Sequence, residues 1–271
     1  MRIIYEPRGR AGEYGKLAAN GFNKCNHGCH YCFNQGLAHC SYEDFLKPSV
    51  RKGVLEGFRK DCRELAAAGD QREILLSFTT DPYNELEDQY RITREMIGVL
   101  IENGLHYTVL TKAGRKSTVD FDLMATRPDL CRYGTTLTFY DPADRRLWEP
   151  NAASTMERLV ALMGAKKRGI PTWVSMEPVI YPKQTIDLIV ATLDLVHKRP
   201  GFVDEYRIGG FNHIGQGHLQ EFIESIGYQY PPEAEWIEFA RKAKTLLDKH
   251  GCRYIFKKDL QPYLQATGVT C

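Results

Sequence analysis

Cys25, Cys29 and Cys32 stand in the run Cys25-Asn26-His27-Gly28-Cys29-His30-Tyr31-Cys32, spaced C-x3-C-x2-C. Nothing else in the chain restricts it as much as three thiolates on one short loop. Iron–sulfur clusters are held by Cys thiolates and a cubane has four irons, so three ligands leave one iron open to a group that is not protein. A structural zinc site asks for four closed ligands, usually as two separated pairs, and the second pair is missing. Gly28 removes a side chain in the middle of the bend, where the backbone must wrap a cluster. Tyr31, directly before the last Cys, puts an aromatic face beside the open iron.

The rest of the composition narrows the setting. A chain of 271 residues buries a full core as one α/β domain or as two small ones. Its 43% hydrophobic and 26% charged residues are ordinary for a soluble globular protein. A net charge of +2 announces no polyanion partner. Any nucleic-acid contact therefore rests on local basic clusters at Arg8/Arg10, Arg115/Lys116, Arg145/Arg146, Lys166–Arg168 and Lys257/Lys258. No apolar run approaches a membrane span and the N-terminus lacks a signal-peptide core, so a cytoplasmic protein with no membrane partner is expected. Cys40, Cys62, Cys131, Cys252 and Cys271 are scattered singly, which fits a reducing compartment and no disulfide scaffold.

Strand-like and helical segments alternate, the pattern of a parallel sheet wrapped by helices. Strands are expected at 17–22, 73–79, 106–111, 133–139, 172–176 and 205–209. Helices are expected at about 42–68, 90–103, 121–126, 153–168 and 185–197. Six βα repeats are too few for a closed eight-stranded barrel, typically about 250 residues, but suit an open one. Glu233 to Lys249 reads as an amphipathic helix and Cys252 to Phe256 as a last strand. The expectation is an α/β fold, an open partial (βα)6 barrel of the TIM type with a C-terminal helix and strand extension. It is one domain over 1–271, with a core of about 15–215 and an extension of about 216–271.

Chemistry in parallel βα architectures sits at the carboxyl ends of strands. Ser77-Phe78-Thr79-Thr80-Asp81-Pro82-Tyr83 offers hydroxyls and a carboxylate to hold an ammonium, or equally a capped Asp-Pro turn. Lys112 is placed to pair with a ligand carboxylate. Thr138 is a candidate contact for ligand oxygens, and Arg158, on the next helix, is a candidate bidentate donor. Glu177 is a candidate substrate contact. Gly209 and Gly210 allow backbone to approach a ligand closely, and His213 is a candidate acid or base.

C-x3-C-x-aromatic-C resembles the signature of the radical S-adenosylmethionine (radical SAM) superfamily. In that family the open iron is chelated by the amino and carboxylate groups of the cofactor's methionine moiety, and the aromatic lies near the adenine. One-electron reduction then releases a 5′-deoxyadenosyl radical. The resemblance implies a 4Fe–4S cluster on Cys25, Cys29 and Cys32, with S-adenosylmethionine bound beside it. It also implies a flavodoxin or ferredoxin as one-electron donor. Tyr5-Glu6-Pro7-Arg8-Gly9-Arg10-Ala11, Thr80-Asp81-Pro82-Tyr83, Leu110-Thr111-Lys112 and Trp148-Glu149-Pro150 with Arg158 look like the branch related to spore photoproduct lyase, over roughly residues 1–215. By that resemblance Tyr31, Phe33, Thr79, Thr80, Asp81, Lys112, Thr138, Glu149 and Arg158 are the cofactor-binding candidates. Tyr31, Tyr83, Glu177 and His213 are the catalytic candidates.

One departure matters. The lyase carries a cysteine hydrogen donor where this chain reads Ser77-Phe78-Thr79-Thr80-Asp81, with no Cys. A product radical must then be quenched otherwise, by a Tyr or by the cofactor itself. The expected activity is hydrogen abstraction from a nucleobase or nucleotide, free or in nucleic acid. The alternatives are a radical SAM enzyme for a small metabolite or peptide, and a non-catalytic metal-binding protein.

Overall fold

A computed structural model of the protein describes residues 2–193, 201–211 and 217–266, the side chain of Arg10 aside. Its strands are β1 (Leu17–Ala19), β2 (Phe22–Asn23), β3 (Ser49–Val50), β4 (Ile74–Leu76), β5 (Tyr107–Thr111), β6 (Cys131–Thr136), β7 (Thr172–Val179), β8 (Glu205–Gly210) and β9 (Arg253–Phe256). Seven of them form one sheet in the order β1-β4-β5-β6-β7-β8-β9, and every neighbouring pair is parallel. Each strand lies beside its successor, so the sheet winds in one direction and all carboxyl ends open on one side. β1 and β9 are its two edges, as expected of a partial barrel.

Burial explains the composition of the strands. Ile74, Leu75 and Leu76 are buried on both faces, as parallel strands covered by helices must be. The helix Thr155–Lys167 starts with a capping box, Ser154 accepting from the Glu157 amide while Glu157 returns to the Ser154 amide. The edge at β1 is covered by the N-terminal segment, where Tyr5 and Ala18 exchange backbone hydrogen bonds of 3.0 and 2.9 Å. Among the described residues no helix is long and apolar enough to cross a membrane.

The strand expected at 17–22 is β1 and β2, which belong to different sheets, and two further elements differ in ways that bear on the site. The helix expected across 42–68 is two helices, Tyr42–Phe45 and Val54–Ala67, with β3 between them. Pro48 lacks an N–H and disfavours helical geometry at Lys47, so the chain leaves the helix and pairs Ser49–Val50 with Phe22–Asn23. That pairing ties the segment to the entrance of the cysteine loop. The C-terminal strand, in turn, is not an appendage. β9 continues the sheet in register with β8, Glu205 opposite Arg253 and Ile208 opposite Phe256. The preceding helix Glu233–Lys249 buries Trp236, Phe239, Ala240, Ala243 and Leu247 in the main core. Residue 257 therefore stands at a strand's carboxyl end. The last part of the helix expected at 185–197 lies outside the described residues, and the helix itself runs Pro182–Thr192.

Candidate active site

A cavity of about 520 Å³ opens at the carboxyl ends of the strands, and Cys25, Cys29 and Cys32 all line it. The loop that carries them is pinned on several sides. The Cys25 amide donates to the Phe45 carbonyl at 3.2 Å, the His30 amide to the Trp148 carbonyl at 2.9 Å, and the Asn151 amide to the His27 carbonyl at 3.1 Å. The Tyr42 hydroxyl donates to the Gly28 carbonyl at 2.5 Å. Gly28 has φ 66°, and a Cβ there would come 2.9 Å from that hydroxyl, so both the conformation and the space require glycine. Burial pushes all three thiols up, Cys29 to about 12, so loading a metal displaces their protons.

Behind Tyr31 lies a closed network. The Tyr31 hydroxyl donates to Glu149 and stands 3.4 Å from Thr138 Oγ1. Glu149 also takes the Arg158 guanidinium, and this pair is fully buried. Arg158 donates further to the Thr136 carbonyl and the Ala153 carbonyl, each at 3.0 Å. Burial raises the Glu149 pKa, but Arg158 and Lys112 outweigh it and hold the carboxyl below its ordinary value. The structure thus turns Arg158 toward Glu149 and the main chain; the cavity wall is Tyr31. Lys112 lines the cavity with its ammonium 5.5 Å from the centre of the Tyr31 ring. Burial disfavours that ammonium, yet Cys29 and Glu149 raise its pKa above the ordinary value.

Asp81 lines the cavity as well, but its oxygens are engaged. Oδ1 accepts from the Thr111 hydroxyl at 2.7 Å and the Tyr83 amide at 2.9 Å. Oδ2 accepts from the Lys112 amide at 2.7 Å and lies 3.3 Å from His27 Nδ1. The carboxylate clamps β4 to β5 and to the cysteine loop. Thr80 donates to the Lys24 carbonyl at 2.5 Å, whereas Thr79, which lines the cavity, makes no side-chain hydrogen bond among the described residues. Phe33 stands at the mouth, 38% exposed, with its ring 5.2 Å from that of Phe78. Tyr83 is not brought to the cavity: it is buried in the core and donates to Asp120 at 3.0 Å. His213 lies outside the described residues.

The opposite wall holds a trio of which only Glu177 was expected. The Tyr14 hydroxyl donates to Glu177 Oε2 at 2.5 Å and stands 2.7 Å from Ser175 Oγ. Lys257 pairs with the same Oε2, and its ammonium sits 3.4 Å from the centre of the Tyr14 ring. A Cβ on Gly209 would come 2.8 Å from Glu177 Cδ and 3.0 Å from Lys257 Cδ. The Gly210 amide donates to Asp259 at 2.7 Å. The two glycines therefore make room for side chains of β7 and of the turn after β9, and Gly210 itself lines the cavity. Lys257 had one signal: once residues 252–256 are counted as a sheet strand, it takes the strand-end position that Lys112 takes after β5. Tyr14 had none.

The thiol set fits an iron–sulfur cluster better than a single ion. Among the described residues no three His, Cys, Asp or Glu side chains converge on one metal position. A cubane asks each thiolate to bind a different iron, whereas zinc draws its four ligands onto one point.

A sequence model described as the Radical SAM superfamily matches residues 20–196. Uncharacterized proteins of Mycobacterium tuberculosis and Mycobacterium bovis are each 25% identical over 174 residues, 61% of this chain and 50% of theirs. The chain spans about half the length of these curated relatives. A spore photoproduct lyase complexed with dinucleoside spore photoproduct superposes with TM-score 0.64 at 14% identity, covering 90% of this chain and 77% of that one. A variant of that lyase reaches TM-score 0.69 at 12% identity, covering 95% and 81%. Streptococcus suis SuiB bound to S-adenosylmethionine gives TM-score 0.61 at 10% identity, covering 89% and 49%. These likenesses are of fold.

Proposed function

The chain belongs to the radical SAM superfamily, an enzyme class that uses a 4Fe–4S cluster and S-adenosylmethionine, and from that premise we propose that it abstracts hydrogen from a nucleobase or nucleotide. The observation that carries the reading is the placing of the three thiols, Lys112 and a set of aromatic faces around one cavity. When bound, the cluster and S-adenosylmethionine supply a 5′-deoxyadenosyl radical after one-electron reduction by a donor protein of flavodoxin or ferredoxin type.

The chain's own residues then have separable tasks. Cys25, Cys29 and Cys32 hold three irons. The Lys112 ammonium would pair with the methionine carboxylate, and the Thr79 hydroxyl would accept from its amino N–H. Asp81 keeps the main chain of Lys112 and the cysteine loop in register. Thr138, Glu149 and Arg158 act through Tyr31, fixing its ring as the wall behind the cofactor. Phe33, Phe78 and Tyr14, with ring centres 5.2 and 5.8 Å apart and planes inclined at 43° and 60°, form an aromatic wall against which a heteroaromatic ring packs. The cavity reaches solvent past Phe33 and Leu37, the latter 62% exposed, which leaves room for a sugar and phosphate outside. The lyase of similar fold was solved with a dinucleoside photoproduct.

One observation favours the second reading, a small metabolite or peptide. The basic clusters do not make a continuous cationic face: Lys116 pairs with Asp88, Lys166 with Asp204, and Lys257 is inside the cavity. A long polyanion would lack the grip expected of a duplex binder. The test is anaerobic turnover of the reconstituted enzyme with S-adenosylmethionine, dithionite and a panel of perdeuterated nucleosides. Deuterium in the 5′-deoxyadenosine formed is the expected result. Undeuterated 5′-deoxyadenosine across the panel, with deuterium taken instead from a small metabolite or peptide, overturns the nucleobase reading.

A further inference from the structure

We propose that Asn20 is a positioning residue of this site: its buried side-chain amide fixes the main chain of Phe78 and Thr79 at the cavity, and through Thr79 it sets how tightly S-adenosylmethionine is held. The inference rests on the reading of Thr79 as the acceptor for the cofactor's amino N–H, and it adds a residue that acts on the cofactor only through another.

The register of the sheet creates the need for such a residue. β1 and β4 run side by side as far as Ala19 and Leu76, and there the ladder stops. The amides of Phe78 and Thr79 lie beyond it with no strand neighbour to accept them, and an amide left unpaired away from water is costly. Asn20 directly follows β1, so its side chain stands where the ladder would have continued. Its Oδ1 accepts from the Phe78 amide and from the Thr79 amide, each at 2.9 Å. Two donors on one atom also decide which end of the side chain is oxygen. The other end, Nδ2, donates to the Tyr5 hydroxyl at 2.9 Å. Asn20 is 1% exposed and is not among the residues that line the cavity, whereas Tyr5, Phe78 and Thr79 all are.

A second side-chain amide completes the hold. Asn34 Nδ2 donates to the Thr79 carbonyl at 2.5 Å. Asn34 belongs to the helix Phe33–Leu37, which begins directly after Cys32. Both main-chain polar groups of Thr79 are thus taken by asparagines, one at the end of the first strand and one just past the last cysteine of the loop. The Ser77 hydroxyl closes the same turn by donating to the Thr80 carbonyl at 2.7 Å. With no side-chain hydrogen bond of its own among the described residues, the Thr79 hydroxyl takes its position from the main chain beneath it. A displacement of about 1 Å is enough to lose a hydrogen bond to a ligand.

The experiment has two readouts on the cluster-loaded protein without reductant: amide hydrogen exchange at Phe78 and Thr79, and equilibrium binding of S-adenosylmethionine. In the wild type both amides are expected to be protected. Asn20→Leu is expected to expose them and to weaken binding by about tenfold or more at equal iron and sulfide content, whereas Asn20→Asp, which keeps an oxygen for both amides, stays within about threefold of the wild type. Thr79→Val tests the underlying reading and is also expected to weaken binding. If Thr79→Val binds as the wild type does, the Thr79 reading falls and this inference with it. If Thr79→Val weakens binding but Asn20→Leu does not, or if Asn20→Asp is as weak as Asn20→Leu, this inference alone is overturned. Freely exchanging Phe78 and Thr79 amides in the wild type overturn it whether or not any variant folds.

Discussion

Both ends of the sheet pair charge with charge, but only the carboxyl end builds its pairs around a cavity. At the amino end, Arg132 donates through two nitrogens to Glu73, at 2.7 and 2.8 Å, and through a third to Glu205 at 3.0 Å. Glu205 also takes Arg207 at 2.7 Å. The fully buried Trp173 ring lies between them, with Arg207 at 4.9 Å and Arg132 at 5.7 Å from its centre, and its N–H donates to Thr108 at 2.7 Å. Here charge is matched against charge. At the carboxyl end, three thiols, Lys112, Glu177 and Lys257 surround a cavity, and the partners of Glu177 and Lys257 are set beside it rather than across a packed core. One end is a packed network of ion pairs around a buried ring, and the other lines the cavity at the strands' carboxyl ends.

The comparison breaks if stability and chemistry do not separate by position. Trp173→Ala is expected to cost about 3–5 kcal/mol of stability in urea unfolding. Because the Trp173 ring packs 6.3 Å from that of Tyr14 in one cluster with Phe78, substrate turnover should fall as well, while S-adenosylmethionine cleavage without substrate stays within about twofold; a larger fall in cleavage would mean that the amino end reaches the cofactor. Arg158→Met sharpens the boundary. It leaves the Glu149 carboxylate buried without its cation, a loss of about 3–5 kcal/mol. Because Glu149 also holds Tyr31, this variant should lose cleavage per folded molecule as well, measured in the same pair of assays.

Glu87, in the connection that follows β4, belongs to neither set of charges and gives the smallest effect. It accepts the amides of Thr93 and Arg94 at 2.8 and 3.2 Å, and burial pushes its carboxyl up to about 7. The folded state therefore keeps a proton between the ordinary value of about 4.5 and about 7 that the unfolded chain gives up. Stability falls as pH rises through that window, by on the order of 2–3 kcal/mol. Glu87→Gln should flatten this slope in thermal unfolding between pH 4.5 and pH 7.5, with cleavage unchanged at the upper pH. An equal slope in both proteins would contradict it.

How legible all this was depended on range. The cysteine loop was legible because its spacing, its glycine and its aromatic all fall within eight residues. The helix Glu233–Lys249 was legible because its apolar face repeats locally. The opposite wall was not, since Tyr14 meets Glu177 across 163 residues of sequence and no local pattern marks it. Lys257 looked like half of a surface basic doublet because its burial depends on β9 joining β8. Asp81 was legible as a strand-end carboxylate, but not as a clamp, because its four partners come from three separate segments. Tyr83 shared a motif with Asp81 and points the other way, into the core. A single helix across 42–68 was expected because helix-forming residues flank Pro48 on both sides, but the backbone cannot continue through it.

The most direct test of the central claim is 5′-deoxyadenosine formation by the anaerobically reconstituted protein given S-adenosylmethionine and dithionite, compared with Cys29→Ala under the same conditions. The wild type is expected to form 5′-deoxyadenosine and methionine in equal amounts, and a Cys29→Ala protein of unchanged unfolding temperature only background. A wild-type protein with a full complement of iron and sulfide that forms no 5′-deoxyadenosine would contradict it.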